Sequence, residues 1–141
     1  MERRNFIRTS CTLCALAGTG MLINLISSCA STEIFKTSIK DKKIAVPLSL
    51  FTQTSFLIVR APELAYDVAL RKESDKTYSA LLLRCTHADN PLVSTGNGFR
   101  CNLHGSRFDE EGRVTNGPAE FSLKRYPTEI VSDQVIIHLN Q

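Results

Sequence analysis

Cys85-Thr86-His87 is followed, after thirteen intervening residues, by Cys101-Asn102-Leu103-His104. Each half offers one thiolate and one imidazole, a donor pair suited to transition metals rather than to magnesium or calcium. Each half also ends a run of strand-favouring residues, Tyr78–Arg84 and Phe99–Asn102. Two loops at neighbouring strand ends can therefore converge on one site. On spacing alone the four side chains admit a metal centre, for which two cysteines and two histidines would suit tetrahedral zinc. They also admit a Cys85–Cys101 disulfide with idle histidines.

The β signal extends in both directions. Short runs of branched and aromatic residues recur at Ile44–Leu50, Phe56–Arg60, Tyr66–Arg71, Arg113–Thr115, Phe121–Tyr126, Glu129–Val131 and Val135–Leu139. Turn chemistry separates them at Ser74-Asp75-Lys76, Gly96-Asn97-Gly98, Glu111-Gly112, Asn116-Gly117-Pro118 and Ser132-Asp133. No stretch keeps a helical period for the ten or so residues a helix needs. The fold class expected is all-β, a small sandwich or barrel over residues 43–141, with one modest core and a site built by two loops. Phe56, Leu81, Leu83, Phe121 and Leu123 alternate as core residues would, and His138 reads as an ordinary strand histidine. Residues 30–42 are polar and unpatterned and read as a tether, at most about 45 Å long when extended.

The second half of the motif continues as Gly105-Ser106-Arg107-Phe108-Asp109, and Gly117-Pro118-Ala119 follows shortly after. Together with Cys85-Thr86-His87 these strings resemble the Rieske iron-sulfur domain family, specifically so between residues 85 and 127. The resemblance implies a 2Fe-2S cluster with Cys85 and Cys101 on one iron and His87 and His104 on the other. It implies that Ser106 places its hydroxyl near a bridging sulfide and that Gly117-Pro118-Ala119 covers the centre from a third side. Imidazole in place of thiolate raises the potential, to roughly −150 to +300 mV against about −400 mV for all-cysteine plant-type centres.

Three features depart from the family. The thirteen-residue spacer is short, so the hairpin between the loops should be tight, with Gly96-Asn97-Gly98 as its turn. Quinol-oxidising members carry an additional disulfide between the loops, whereas Leu103 precedes His104 here. The same members carry a tyrosine where this chain has Phe108, which has no hydrogen bond to donate. Both absences weigh against a quinol-oxidising role.

Residues 1–29 have the layout of an export segment. Arg3-Arg4-Asn5-Phe6-Ile7-Arg8 resembles the twin-arginine signal, with Glu2 where a serine or threonine is common. A moderately apolar stretch, Cys11 to Ile26, is shorter than the roughly 20 residues that span a bilayer. Leu25-Ile26-Ser27-Ser28-Cys29 resembles a lipobox, which implies lipidation at Cys29; an uncleaved N-terminal anchor is the alternative. Cys11 and Cys14 form a CxxC inside this apolar segment and are read as inert. A twin-arginine route exports folded proteins, which suits one that acquires its cofactor first. The expected location is membrane-anchored, on the periplasmic or outer-membrane side.

The formal net charge is +3, and outside residues 1–29 there are 14 basic against 13 acidic residues, scattered along the chain. Nothing there calls for a nucleic-acid partner. The functions to weigh are a one-electron carrier whose partner is a redox protein or respiratory complex, and a small subunit of a larger exported oxidoreductase, resembling arsenite oxidase or cytochrome bc. A non-redox zinc domain of the same fold is a third. An aromatic-ring dioxygenase would need a second domain for mononuclear iron, and none is expected.

Overall fold

The computed structural model describes residues 32–140. The expectations for Arg3, Arg4, Cys11, Cys14 and Cys29 lie outside that range. Within it run β1 (Ile34–Lys36), β2 (Lys43–Pro47), β3 (Phe56–Arg60), β4 (Val68–Ser74), β5 (Thr77–Leu82), β6 (Leu92–Ser94), β7 (Phe99–Cys101), β8 (Arg107–Phe108), β9 (Val114–Asn116), β10 (Arg125–Tyr126), β11 (Thr128–Val131) and β12 (Gln134–His138). A single 3-10 turn, Leu48–Thr52, accounts for the second half of the run expected as strand from Ile44 to Leu50. Among the described residues no helix is long and apolar enough to cross a membrane.

The strands form three sheets in the orders β1-β3-β4-β5-β10, β11-β12-β2 and β6-β7-β8-β9. The central strands carry continuous apolar runs, such as Leu57-Ile58-Val59 and Ala80-Leu81-Leu82-Leu83. Successive side chains point to opposite faces, so such a run requires cover on both sides. The structure supplies it. Leu57, Val59, Val68, Leu70, Ala80 and Leu82 face one core, closed by Ile44, Val46, Val135 and Ile137 of the three-stranded sheet. Ile58, Ala69, Leu81 and Leu83 face a second core with Cys85, Leu92, Phe99, Cys101, Phe108 and Leu123. The all-β class stands as expected, but the chain buries two cores where one was anticipated. The four-stranded sheet is packed on the second.

Two further differences have physical causes. Ile34–Lys36, within the stretch expected as tether, pairs in parallel with β3 in the register Ile34↔Ile58. Its partner lies more than twenty residues away and three residues carry too little periodicity to announce a strand. Phe121, expected in the core, is 70% exposed. The chain around it is not extended strand, because Leu123 N–H donates to Gly112 O at 2.8 Å and Leu82 N–H to Lys124 O at 2.9 Å. Period-2 alternation therefore does not carry from Leu123 back to Phe121.

An ion pair joins the central sheet to the four-stranded sheet. Arg71 on β4 pairs with Glu110, just beyond β8, and its guanidinium lies 5.6 Å from the centre of the Phe56 ring. The hydrogen bond from Arg71 holds the Glu110 carboxyl below its ordinary value of 4.5, against partial burial and the neighbouring Asp109. A carboxyl depressed on folding contributes stability above its unfolded value and loses it as pH falls through the folded one. Glu110→Gln should therefore lower the thermal midpoint at pH 7, and the gap to the parent protein should narrow as the pH falls below 4.5 and through the depressed folded value. Because Glu110 is 38% exposed, the effect should stay under about 1 kcal/mol. Melts across pH check it.

Candidate metal centre

The first loop leaves β5 and spans Cys85–Asn90. It closes on itself where Cys85 N–H donates to Asn90 O at 2.8 Å. The Tyr66 hydroxyl donates to the carbonyl of Asp89 and pins its outer side. The second loop leaves β7 at Cys101. Gly105 N–H donates to Cys101 O at 3.1 Å and Cys101 N–H to Ser106 O at 2.9 Å, a tight reversal that Gly105 completes at φ +81°. The β6–β7 hairpin connects the two loops, with the register Leu92↔Cys101 and Ser94↔Phe99. Gly96-Asn97-Gly98 does form its turn, with Thr95 N–H donating to Gly98 O at 2.9 Å. A side chain at Gly98, φ +149°, would run into the carbonyl oxygen of Phe108. Gly98→Ala should cost about 1–3 kcal/mol as β7 and β8 are forced apart, visible as a lower thermal midpoint.

A third segment clamps both loops. Thr86 Oγ1 donates to Phe121 O at 2.6 Å. Asn116 Nδ2 donates to Gly105 O at 3.2 Å and to Gly117 O at 2.9 Å. Ala119 N–H donates to Ser106 Oγ at 3.0 Å. Of Gly117-Pro118-Ala119, Ala119 thus meets the second loop directly, at Ser106.

The four candidate ligands sort into two pairs by depth. Cys85 and Cys101 are fully buried and unbridged. His87 and His104 are exposed, with Nδ1 atoms 3.2 Å apart and rings inclined at 77°. Two nitrogens about 2.0–2.1 Å from one tetrahedral metal lie roughly 3.3 Å apart, so the imidazole pair has the bite of a single metal ion. Burial pushes the Cys101 thiol up. The N–H groups of Leu103 and His104, the Cys85 thiol and Asn90 outweigh it and bring the thiol below its ordinary value. The Asn90 amide approaches Cys101 Sγ at 3.6 Å. The thiolate that a metal requires is thus stabilised before any metal binds.

Among the described residues, no three histidine, cysteine or carboxylate side chains converge on one ion. The donor set is two thiols inside and two imidazoles outside, which fits two metals side by side better than one zinc. Ser106 adds a further test of fit. It is fully buried, its oxygen accepts from Ala119, and none of the described hydrogen bonds uses its proton. A buried hydroxyl proton without a protein acceptor suits a sulfide next to the thiols.

The sequence matches the Rieske 2Fe-2S domain over residues 51–127, more than half of the chain. The chain belongs to the Rieske 2Fe-2S domain family. The cofactor of this Rieske protein is accordingly a 2Fe-2S cluster. It is 36% identical over 74 residues to the cytochrome b6-f complex iron-sulfur subunit of Nostoc punctiforme, covering 51% of this chain and 41% of that one. It is 34% identical over 82 residues to the ubiquinol-cytochrome c reductase iron-sulfur subunit of Bradyrhizobium diazoefficiens, covering 56% and 47%. The chain thus spans less than half the length of these curated relatives. Its fold is similar to that of the cyanobacterial plasma membrane Rieske protein of Synechocystis, with a TM-score of 0.54 and 22% identity over 67% of this chain and 97% of that one.

Some residues of the Rieske site escaped the reading of the sequence. Asn90, Tyr66 and Asn116 hold the loops through amide and hydroxyl groups. Asn90 and Asn116 look like ordinary turn residues in sequence, and Tyr66 lies far from either motif. Phe108 is buried opposite Phe99 in the second core, and Leu103 is 55% exposed beside His104. His138 stands apart from the site and meets Glu129 at 2.9 Å.

Proposed function

We propose that this Rieske protein is a one-electron carrier. Cys85 and Cys101 would hold the inner iron, and His87 and His104 the outer one. The depth sorting of the four side chains supports this reading most directly. When bound, the cluster supplies a one-electron store whose potential imidazole ligation raises. The rest is the work of the chain. The second core and the clamping segment keep water from the thiols. The Asn90 amide and the Leu103 and His104 N–H groups stabilise negative charge on Cys101. The exposed histidine edge gives an electron a short path to a partner, and Leu103 beside His104 and Phe121 on the clamping segment provide exposed apolar surface.

The partner in this reading is a redox protein or a respiratory complex. A second reading, a subunit of a larger oxidoreductase, is favoured by the relatives, whose names place them in such complexes. The export-type residues 1–29 support an exported protein anchored through lipidated Cys29 or an uncleaved segment. Analysis of the purified full chain tests the carrier reading. Two irons and two labile sulfides per chain, with one spin appearing on reduction, are expected. A colourless protein with stoichiometric zinc would overturn it. Lipid labelling of the parent protein and of Cys29→Ala, followed by membrane fractionation, separates the two anchors.

A further inference from the structure

The four-stranded sheet turns two arginines outward, and no carboxylate among the described residues pairs with either. Arg100 on β7 and Arg107 on β8 are direct cross-strand partners, and both are exposed. Like charges directly opposite one another destabilise a strand pair. Among the described residues neither arginine joins an ion pair or a side-chain hydrogen bond, and the nearby carboxylates are engaged elsewhere. Asp109 Oδ2 accepts from Arg113 Nε at 2.7 Å, while its Oδ1 accepts the N–H groups of Glu111 and Arg113. Glu110 is taken by Arg71, and Glu111 pairs with Arg113 at 2.9 Å.

The two arginines line one pocket of about 350 Å³, together with Thr95, Asn97, Asp109 and Thr115. Thr95 Oγ1 meets Asn97 Oδ1 at 3.3 Å, which leaves the Asn97 amide hydrogens free to donate. Arg100 directly precedes Cys101, and Arg107 directly follows Ser106. Strand alternation sends the arginine side chains to the face opposite those buried groups, so the pocket is separate from the metal centre. Its chemistry is two planar guanidinium forks with amide and hydroxyl donors beside them. That combination matches an acceptor with several oxygens and negative charge.

We propose that the Arg100–Arg107 pocket is an oxyanion site that binds a phosphoryl group, either free phosphate or the headgroup of an anionic phospholipid. The charge of the ligand removes the repulsion built into the β7–β8 pair. Calorimetric titration of the full-length holoprotein with inorganic phosphate, at an ionic strength held constant with sodium chloride, tests it. Saturable one-site binding is expected. Arg100→Gln and Arg107→Gln should each weaken it at least about tenfold, the double variant should abolish it, and Lys76→Gln in the β4–β5 turn should leave it unchanged. Thermal melts give a second readout. Without phosphate, Arg107→Gln should melt higher than the parent protein. Phosphate should raise the midpoint of the parent and not that of the variant. A heat no larger than the chloride control, or undiminished binding by the double variant, overturns the proposal. A soluble short-chain phosphatidylglycerol that displaces phosphate assigns the site to a headgroup. Failure to displace it assigns the site to free phosphate, and either result requires the pocket to bind.

Discussion

His104→Ala is expected to yield a folded protein without its cluster. His104 and His87 are the two imidazoles that meet at 3.2 Å, and both stand at the surface. Losing a partner that merely orients a metal ligand costs 10–100-fold in metal affinity. Losing one of only two protein ligands to an iron must cost more. No substitute is at hand, since no third histidine, cysteine or carboxylate among the described residues converges on the pair. The fold should survive, because His104 belongs to neither core. The reversal that carries it is held by backbone bonds from Cys101 to Ser106 and from Gly105 to Cys101. Iron content should fall at least about tenfold, with the reduced-state resonance lost and the far-ultraviolet circular dichroism retained. His138→Ala is the control. That histidine sits on β12 against Glu129, and its removal should leave the iron intact. A His104→Ala protein that kept its full iron and an unchanged resonance signal would refute the ligand assignment.

The candidate ligand loops were legible because their chemistry is local. Cys85 and His87 are two residues apart, Cys101 and His104 three, and both pairs close a strand-like run. The turn at Gly96-Asn97-Gly98 was legible for the same reason. The double burial of the central sheet was written in the unbroken apolar runs at Leu57–Val59 and Ala80–Leu83. Such runs say that both faces are covered, but not by what. β6 exists only as a partner of β7, β8 only between β7 and β9, and β1 only as a partner of β3. Nothing in three-residue windows distinguishes them from loop. Phe121 and Leu123 kept the spacing of a strand while tertiary hydrogen bonds bent the chain beneath them. The role of Asn90 depends on the distance between its amide and the sulfur of Cys101, eleven residues on, and no local pattern encodes that.

Ser106→Ala should move two observables at once, and the pair of results identifies what the hydroxyl does. Its oxygen accepts the Ala119 N–H at 3.0 Å inside a fully buried site. Deleting it strands that N–H away from water, at a cost of about 1–3 kcal/mol, so the thermal midpoint should fall. None of the described hydrogen bonds uses the hydroxyl proton, so it is free to be given to the centre. A hydrogen bond given to the cluster favours its more negative, reduced form and raises the potential. Hydrogen bonds to charged groups contribute about 1.5–3 kcal/mol. For one electron that corresponds to an upper bound of roughly 65–130 mV, at 59 mV per tenfold change. The bond persists in the oxidised form, so only part of this bound is differential, and the potential should drop by some tens of millivolts. Phe108 supplies no second hydroxyl to compensate. Protein-film voltammetry beside thermal melts decides the matter. A lowered midpoint with an unshifted potential would make Ser106 a clamp for Ala119 alone. A lowered potential shows that the same side chain both fastens the covering segment and sets the affinity of the centre for its electron.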